Sequence, residues 1–316
     1  MLRTSLSQFD RPDVLYFETE VYMSEEKKEE NEENYGMYIP IKRALDQAIE
    51  NIHIYKHEYG NKELYLETGF KEFFLRKGDL ILLASPKYWM NSFIFSLISN
   101  VAFDLKKPVG YISCGEKDSV YICTKLLSHI TRIPMGKLLE GNLYRSEAEE
   151  LRDKSEKVFE SPIFINDSPN CIFEEFELAA SLMVEQQKVE LIIVDSFQYL
   201  QEIVNAEQNL LPYEQADLLK KYKEVSQKLN IPIIILMDMP VDEDKGPSIS
   251  DFKSNMIIPR TVDQVLFLDR NQIPENEKEC EATLIIAKNS HGRIYMRIPL
   301  KYNPSNGIYK SADEEV

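Results

Sequence analysis

Residues 78–104 read GDLILLASPKYWMNSFIFSLISNVAFD, and this stretch decides the fold. Residues 79–84 are almost entirely apolar, which is typical of a strand that is buried on both faces. A short polar segment follows, and then apolar residues recur at the three- and four-residue spacing of a helix. A strand, a loop and a helix in this order are typical of a phosphate-binding loop in a parallel α/β sheet.

The polar segment lacks the groups that such a loop uses. A phosphate-binding loop needs glycines whose bare backbone wraps the phosphates, a lysine that reaches their oxygens and a hydroxyl that binds Mg²⁺. The residues in these positions are Lys87, Tyr88, Trp89, Met90, Asn91 and Ser92, with no glycine among them. The sequence therefore predicts a phosphate-binding scaffold whose loop has been replaced.

Length and composition indicate a globular protein. The chain has 316 residues and is 43% hydrophobic, enough for one large domain or one domain with an extension. Its net charge of −16 opposes tight binding to a nucleic-acid backbone, because such binding requires clustered lysine and arginine. Local basic patches are compatible with this charge, and the plainer interpretation is an acidic surface that aids solubility.

The cysteine pattern and the hydropathy indicate in which cellular compartment the protein is found. The 4 cysteines are scattered without CxxC spacing and only 4 histidines are present, so we predict reduced thiols and no structural zinc site. No apolar run approaches the about 20 residues of a membrane helix, and the chain does not start with a secretion signal. We therefore predict a cytoplasmic protein that does not bind a membrane.

The first part of the chain differs from the rest. Residues 1–37 include MSEEKKEENEENYG, which is too charged to bury a core, and we predict a flexible acidic segment there. Residues 38–60 have one apolar stripe and are predicted to form a linker or docking helix, which packs either on its own domain or on a neighbouring subunit. The main domain is predicted to span 61–310, and 311–316 to be a solvated tail.

The main domain alternates strands with helices. The predicted strands are 79–84, 109–114, 191–194, 231–237 and 264–268, and the predicted helices lie at about 91–105, 118–131, 146–159, 173–187 and 214–229. Alternating elements of this kind indicate a mostly parallel, doubly wound sheet. Residues 282–287 and 295–300 are predicted to form a terminal β-hairpin.

The clearest chemical signal is LIIVDSFQ at residues 191–198. Four apolar residues that end on Asp195 place a carboxylate at the carboxyl edge of a central strand, where α/β sheets bind ligands. An aspartate in this position is also a common helix cap or turn residue. The phosphate-loop-like segment upstream favours the functional interpretation.

Taken in order, the motifs resemble the C-terminal motor domain of the DnaB-type replicative DNA helicases, over residues 38 to about 310. The resemblance is carried by ETGF at 67–70, KGDLI at 77–81, ASP at 84–86, residues 133–143, SPIFINDSP at 161–169, Asp195 with Gln198, SISDF at 248–252, DQVLFL at 263–268 and IIAKN at 285–289. It implies a RecA-like P-loop NTPase fold. It also implies that Asp195 is the Mg²⁺-linked aspartate, that Gln198 is its downstream glutamine and that 38–60 docks on an adjacent subunit.

The chain departs from that family at the residues of the phosphate-binding loop. Trp89, Met90 and Asn91 stand where the family has glycine, lysine and threonine. The cation that stabilises the transferred phosphoryl group is therefore missing, and Lys87 approaches from the start of the loop instead. The indole of Trp89 is predicted to occupy the space that a nucleotide phosphate would need.

Three further positions depart from the family pattern. Gly115 aligns with the catalytic glutamate and Glu116 follows it, so Glu116 is a vestigial candidate. The lysine of the last strand is kept as Lys288, but Ser290 replaces the arginine finger. The glutamine that ends the fourth core strand aligns with Asp238, which would turn negative charge towards a triphosphate.

The segments that would contact DNA are acidic. Residues 201–212 contain no lysine or arginine, and 242–246 carry a net negative charge, whereas a loop that tracks single-stranded phosphates is expected to be basic or neutral. We therefore expect weak DNA binding or none.

These departures lead to three hypotheses. The first is a degenerate, pseudo-ATPase scaffold or regulator of DNA replication that binds no cofactor and docks on a replicative helicase or on its own copies. The second is an active ATP-dependent helicase with an atypical loop, in which Lys87, Ser92, Asp195 and Glu116 act on ATP and Mg²⁺. The third is a sensor that binds a small ligand in the cleft.

Overall fold

The computed structural model describes residues 64–115, 117–168, 172–200, 211–240, 245–270 and 279–313, together with Ile41, Lys42 and Leu45. The chain divides into two compact units, Met1–His57 and Glu58–Val316. In the first unit, Ile41, Lys42 and Leu45 are helical and exposed. The rest of the predicted segments 1–37 and 38–60 lies outside the described residues, so their boundaries stay predictions.

The second unit is built on a large mixed sheet. Its strands are β3 (Leu80–Ser85), β4 (Val109–Ser113), β5 (Ile163–Asn166), β6 (Leu191–Asp195), β7 (Ile233–Asp238), β8 (Gln264–Arg270), β9 (Cys280–Asn289), β10 (Met296–Asn303) and β11 (Ile308–Ser311). Their spatial order is β11-β10-β9-β8-β3-β7-β6-β4-β5. A separate two-stranded sheet consists of β1 (Tyr65–Glu67) and β2 (Phe74–Arg76), which the sequence did not predict.

Strand direction confirms the predicted fold class. The six strands from β8 to β5 run parallel to their neighbours, whereas β9, β10 and β11 pair antiparallel. The predicted terminal hairpin corresponds to β9 and β10, which are longer than the apolar runs from which they were predicted. The result is the predicted RecA-like α/β architecture with a mostly parallel central sheet.

Helices connect the parallel strands. They are α1 (Lys87–Ile98), α2 (Ser119–Thr131), α3 (Met135–Glu140), α4 (Arg145–Phe159), α5 (Phe173–Gln187), α6 (Pro212–Leu229) and α7 (Ile257–Thr261). A π-helical turn, Ser99–Asp104, continues α1. Local capping starts two of the longer helices: Asp118 accepts a hydrogen bond from the Tyr121 amide (2.7 Å) before α2, and Pro212 is the first residue of α6.

The core lies on both faces of the sheet, because the parallel strands are apolar on both sides. All six residues of β3 and all five of β6 are buried. One apolar cluster includes α1, and the other includes α5 and α6. Burial on both faces explains why these strands read as continuous apolar runs instead of alternating ones.

Two predicted boundaries differ from the structure. α1 begins at Lys87, about one helical turn before the predicted start at 91. Ser311 is the last residue of β11 and is buried, and its hydroxyl accepts a hydrogen bond from the Lys71 amide (2.9 Å), so the structured domain extends past 310. Among the residues that the structure describes, no helix has the length and apolar character needed to cross a membrane.

Candidate functional site

The candidate site lies where β3, β6 and β7 end. These strands are parallel neighbours, so Ser85, Asp195 and Asp238 end them at the same edge of the sheet. The central strands of an α/β sheet bind ligands at this carboxyl edge. The sequence placed Asp195 and Asp238 here, and the structure confirms that both lie at this edge.

No loop separates β3 from α1. Only Pro86 stands between them, and its carbonyl accepts hydrogen bonds from the amides of Trp89 (2.9 Å) and Met90 (3.2 Å). The segment that the sequence predicted as a polar loop is therefore the first turn of the helix. Glycine would give a loop the backbone freedom to wrap a ligand, but this segment contains none. Pro86 has a fixed φ angle and is compatible with a helix that begins at the next residue.

Asp238 holds the first turn of α1. Its Oδ1 accepts a hydrogen bond from the Lys87 amide (2.8 Å), one of the amides that an isolated helix leaves without a partner. The side-chain amide of Gln198 holds Asp238 in turn: Nε2 donates to the Asp238 carbonyl (2.8 Å) and Oε1 accepts from the Asp238 amide (3.2 Å). A carboxylate thus occupies a position where the helix dipole favours an anion.

Lys117 is the central cation of the site, and sequence reasoning missed it. Its side chain is only 6% exposed, and its ammonium forms a salt bridge with the Asp195 carboxylate. The same ammonium donates to Asn91 Oδ1 (2.9 Å), and the Lys117 amide donates to Ser113 Oγ (3.2 Å). Lys117 therefore joins the end of β6 to the first turns of α1.

Tyr111 completes the contacts of Asp195. Its hydroxyl donates a hydrogen bond to the same carboxylate oxygen as Lys117. Burial and the neighbouring Asp195 charge raise the pKa of the Tyr111 hydroxyl well above its usual value, so it stays a neutral donor. The Asp195 carboxylate is 5% exposed and is satisfied within the chain by an ammonium and a phenol.

Three of the predicted loop residues are buried or pack against the core. Met90 and Ser92 are buried, and Met90 belongs to the apolar cluster that includes α1. The indole of Trp89 packs against the same core, with the guanidinium of Arg270 at 4.9 Å from its ring centroid. This position lies near the end of β8, at the same carboxyl edge of the sheet as the ends of β3, β6 and β7, and the placement of the indole in the phosphate space stays a prediction.

Other predicted site residues lie elsewhere. The ammonium of Lys288 donates to the carbonyls of Arg260 (3.0 Å) and Val262 (2.6 Å), near the start of β8 and thus at the opposite edge of the sheet. Ser290 follows β9 at that same edge. Glu116, residues 201–210 and residues 241–244 lie outside the described part of the chain.

The structure thus brings five side chains together at one edge, and the Lys87 amide lies beside them. The side chains of Asn91, Asp195, Gln198 and Asp238 were predicted, and that of Lys117 was not. The only sequence signal for Lys117 was its place just after the turn that follows β4, a position where a solvated lysine is equally common. Chemically, the arrangement presents two carboxylates whose oxygens already contact a cation and a helix amide.

Comparison with known proteins shows which family the chain belongs to. The family described as DnaB-like helicase C terminal domain matches residues 66–310. A probable plasmid replicative DNA helicase of Chlamydia trachomatis is 26% identical over 247 residues, which are 75% of this chain and 52% of that protein. The replicative DNA helicase DnaB of Treponema pallidum is 27% identical over 224 residues, 69% of this chain and 49% of that protein. The chain therefore spans about half the length of these curated relatives.

Solved structures share the fold. A DnaB-like replicative helicase, described with its interactions with primase, superposes with a TM-score of 0.71 at 18% identity, over 87% of this chain and 68% of that one. The ATPase domain of G40P superposes with a TM-score of 0.68, also at 18% identity, over 87% of this chain and 99% of that one. At this level of identity the likeness concerns the fold alone.

Proposed function

We propose that this chain, which belongs to the family of DnaB-like helicase C-terminal domains, is a member that does not hydrolyse ATP and that serves DNA replication as a scaffold or regulator. The observation that carries the proposal is the buried salt bridge between Lys117 and Asp195. The resemblance assigns to Asp195 the task of holding Mg²⁺. Here a fixed ammonium of the chain itself takes the place of a cation beside that carboxylate.

The cost of replacing Lys117 by Mg²⁺ supports this proposal. The magnesium ion would have to displace an ammonium that is 6% exposed and that also contacts Asn91. Separating a buried ion pair costs about 3–5 kcal/mol when it leaves one charge without a partner. This cost weakens binding by about two to four orders of magnitude unless the displaced ammonium finds a new partner.

The first turn of α1 also supports the proposal, because amides that a phosphate would need already have partners. A bound phosphate needs bare backbone amides, but the amides of Trp89 and Met90 are used within the helix and that of Lys87 is used by Asp238. A phosphate at this helix end would also approach the Asp238 carboxylate. Two negative charges at this helix end repel each other, and water reduces the repulsion because Asp238 is exposed.

The relatives support a proposal for the partner. The relatives are replicative helicases, and one of the solved structures concerns a helicase with primase. We propose that this chain docks on a replicative helicase or on its own copies, through the predicted helix 38–60 and the surface of its motor-like domain. The acidic charge and the acidic segments 201–212 and 242–246 support weak DNA binding or none.

A nucleotide titration tests the proposal. A fluorescent ATP analogue is titrated into the purified chain with Mg²⁺, and we expect no saturable binding up to millimolar concentration. Light scattering of the chain alone and mixed with a replicative helicase measures self-association and docking. Saturable binding that disappears in Asp195→Ala, together with ATP turnover, would refute the proposal.

Lys117 also favours one alternative. Its ammonium lies beside Asn91, so on nucleotide binding it could leave Asp195 for a phosphate and supply the charge that the loop lacks. This alternative is an active ATPase in which Lys117, not Lys87, is the phosphate-binding lysine. It predicts magnesium-dependent ATP turnover that is abolished in Lys117→Met and retained in Lys87→Met, whereas the scaffold proposal predicts no turnover in any of these proteins.

A further inference from the structure

A second cluster of ionisable side chains lies at the opposite edge of the sheet. Asp79 immediately precedes β3, Asp263 precedes β8, and His291 follows β9. One ligand atom from each residue can be chosen so that all three lie within 4.8 Å of one another. Sequence reasoning predicted no structural zinc site, because the three residues are separated by long stretches of chain.

Each aspartate uses one oxygen to hold the fold. Oδ2 of Asp263 accepts from the Leu80 amide (3.0 Å), and Oδ2 of Asp79 accepts from Gln264 Nε2 (3.0 Å). These bonds fix both carboxylates and turn their Oδ1 atoms towards His291. Hydrogen bonds to the second oxygen of a carboxylate are the usual support of metal-binding aspartates.

The distances from the imidazole to the two carboxylates suit a metal ion. His291 Nε2 lies 3.4 Å from Asp79 Oδ1 and 3.7 Å from Asp263 Oδ1. These contacts are longer than normal N–H···O hydrogen bonds of about 2.7–3.2 Å. Zinc bonds of about 2.0–2.2 Å in tetrahedral geometry separate neighbouring ligand atoms by about 3.4 Å.

The loop that carries His291 is held in place by hydrogen bonds of its backbone. The His291 amide donates to Asn289 Oδ1 (3.0 Å), and the Ser290 amide donates to the Asp263 carbonyl (2.9 Å). A Cβ at Gly292 would meet Asn289 Nδ2 at 2.7 Å, so glycine lets the loop close over that side chain. The His291 side chain is 31% exposed while the carboxylates are buried, which leaves an approach from solvent.

Two basic side chains, Lys223 and Arg76, form ion pairs with the carboxylates. Lys223 Nζ lies 2.7 Å from Asp263 Oδ1, and Arg76 Nη1 lies 3.5 Å from Asp79 Oδ1. The Lys223 side chain is 29% exposed, so its ammonium can turn to water when a metal ion takes its place. A divalent ion then balances the charge of the two carboxylates.

We propose that Asp79 Oδ1, Asp263 Oδ1 and His291 Nε2 bind one divalent transition-metal ion of the zinc class, which displaces the Lys223 ammonium. A mixed imidazole and carboxylate set favours zinc over magnesium, which prefers oxygen ligands alone. Water completes the coordination. The ion ties the loop after β9 to the starts of β3 and β8, independently of the function proposed for the other edge.

Cobalt is the spectroscopic probe for this site. Co²⁺ is titrated at pH 7.5 into the purified chain, and its visible absorption reports one four- or five-coordinate ion per chain. Zn²⁺ then bleaches the spectrum. We expect His291→Ala and Asp79→Asn to lose saturable binding, whereas His129→Ala, which removes a buried histidine outside the cluster, keeps it.

The variant Lys223→Met distinguishes a metal site from a cluster that serves only as ion pairs. If Lys223 competes with the metal, its removal strengthens Co²⁺ binding about two- to fivefold, as expected from a partly exposed ion pair. A cluster that serves only as ion pairs binds no Co²⁺ with or without Lys223. Absence of one-to-one binding to the wild-type chain, or binding that survives His291→Ala, overturns the proposal.

Discussion

Replacing Lys117 by methionine is the sharpest test of the buried cation. Methionine keeps most of the volume of the lysine stem but removes the ammonium that contacts Asp195 and Asn91. The Asp195 carboxylate then keeps the hydrogen bond from the Tyr111 hydroxyl, in a place where the carboxylate is 5% exposed. Leaving one charge of a buried pair without its partner costs about 3–5 kcal/mol.

The measurement is the free energy of unfolding from urea denaturation at pH 7. We expect Lys117→Met to lose about 3–5 kcal/mol. The double variant Lys117→Met/Asp195→Asn should recover a large part of this loss, because it buries no unpaired charge. Lys220→Met, which breaks an exposed pair with Asp217, is the matched control and should change stability by about 0–1 kcal/mol.

The comparison of the variants decides the interpretation. A loss in Lys117→Met no larger than that in Lys220→Met would refute a buried, energetically important ion pair. A double variant that is less stable than the single one would show that the carboxylate is stabilised by other groups. Either result would remove the main support for an ammonium that excludes Mg²⁺.

Three further predictions concern single residues. Asp238→Ala removes the acceptor of the Lys87 amide and should lower the free energy of unfolding in urea by about 1 kcal/mol, with a smaller loss in Asp238→Asn, which retains an oxygen. Burial lowers the pKa of His129 from 6.5 to about 3, so the folded chain favours its neutral form. The resulting stabilisation is complete above pH 6.5 and is lost as the pH falls towards about 3. The free energy of unfolding of His129→Gln in urea, measured between pH 7 and pH 4, should therefore depend less on pH than that of the wild type. An equal pH dependence of the two proteins would contradict this prediction. Gly69→Ala should lower the thermal midpoint, because Gly69 has a φ of +78° and a Cβ there would meet Asn100 Cβ at 2.6 Å. Gly141→Ala, with a φ of +67° but open space around it, is the control that isolates the backbone cost, and an equal fall in both variants would show that the clash contributes nothing.

The strands and most helices could be predicted from local pattern. β3, β4, β6, β7 and β8 are continuous apolar runs, since both of their faces are buried, and their observed limits differ from the predicted ones by one or two residues. The short strands β1 and β2 have no such pattern, because they form a small sheet of their own with only one clearly buried position each. β5 was missed for a similar reason, since none of its residues is fully buried.

The predicted start of α1 was wrong because the strand–loop–helix motif outweighed the helix propensity of residues 87–92. The strand–loop–helix layout suggested a loop up to Ser92, whereas Pro86 and the absence of glycine favour a helix from Lys87. In this helix the indole of Trp89 packs against Arg270 and the core, and its predicted place in the phosphate space stays a prediction.

By itself, the sequence determined the α/β fold, the edge of the sheet at which Asp195 and Asp238 lie, and the absence of a glycine-rich phosphate loop. These features depend on residues that are close along the chain, so periodicity and composition are enough to reveal them. Only the tertiary structure decided what stands beside the carboxylates: Lys117 at Asp195, the α1 amide at Asp238, and His291 between Asp79 and Asp263. Such pairings join residues tens to hundreds of positions apart, and they exist only because the packed sheet brings the ends of separate strands together.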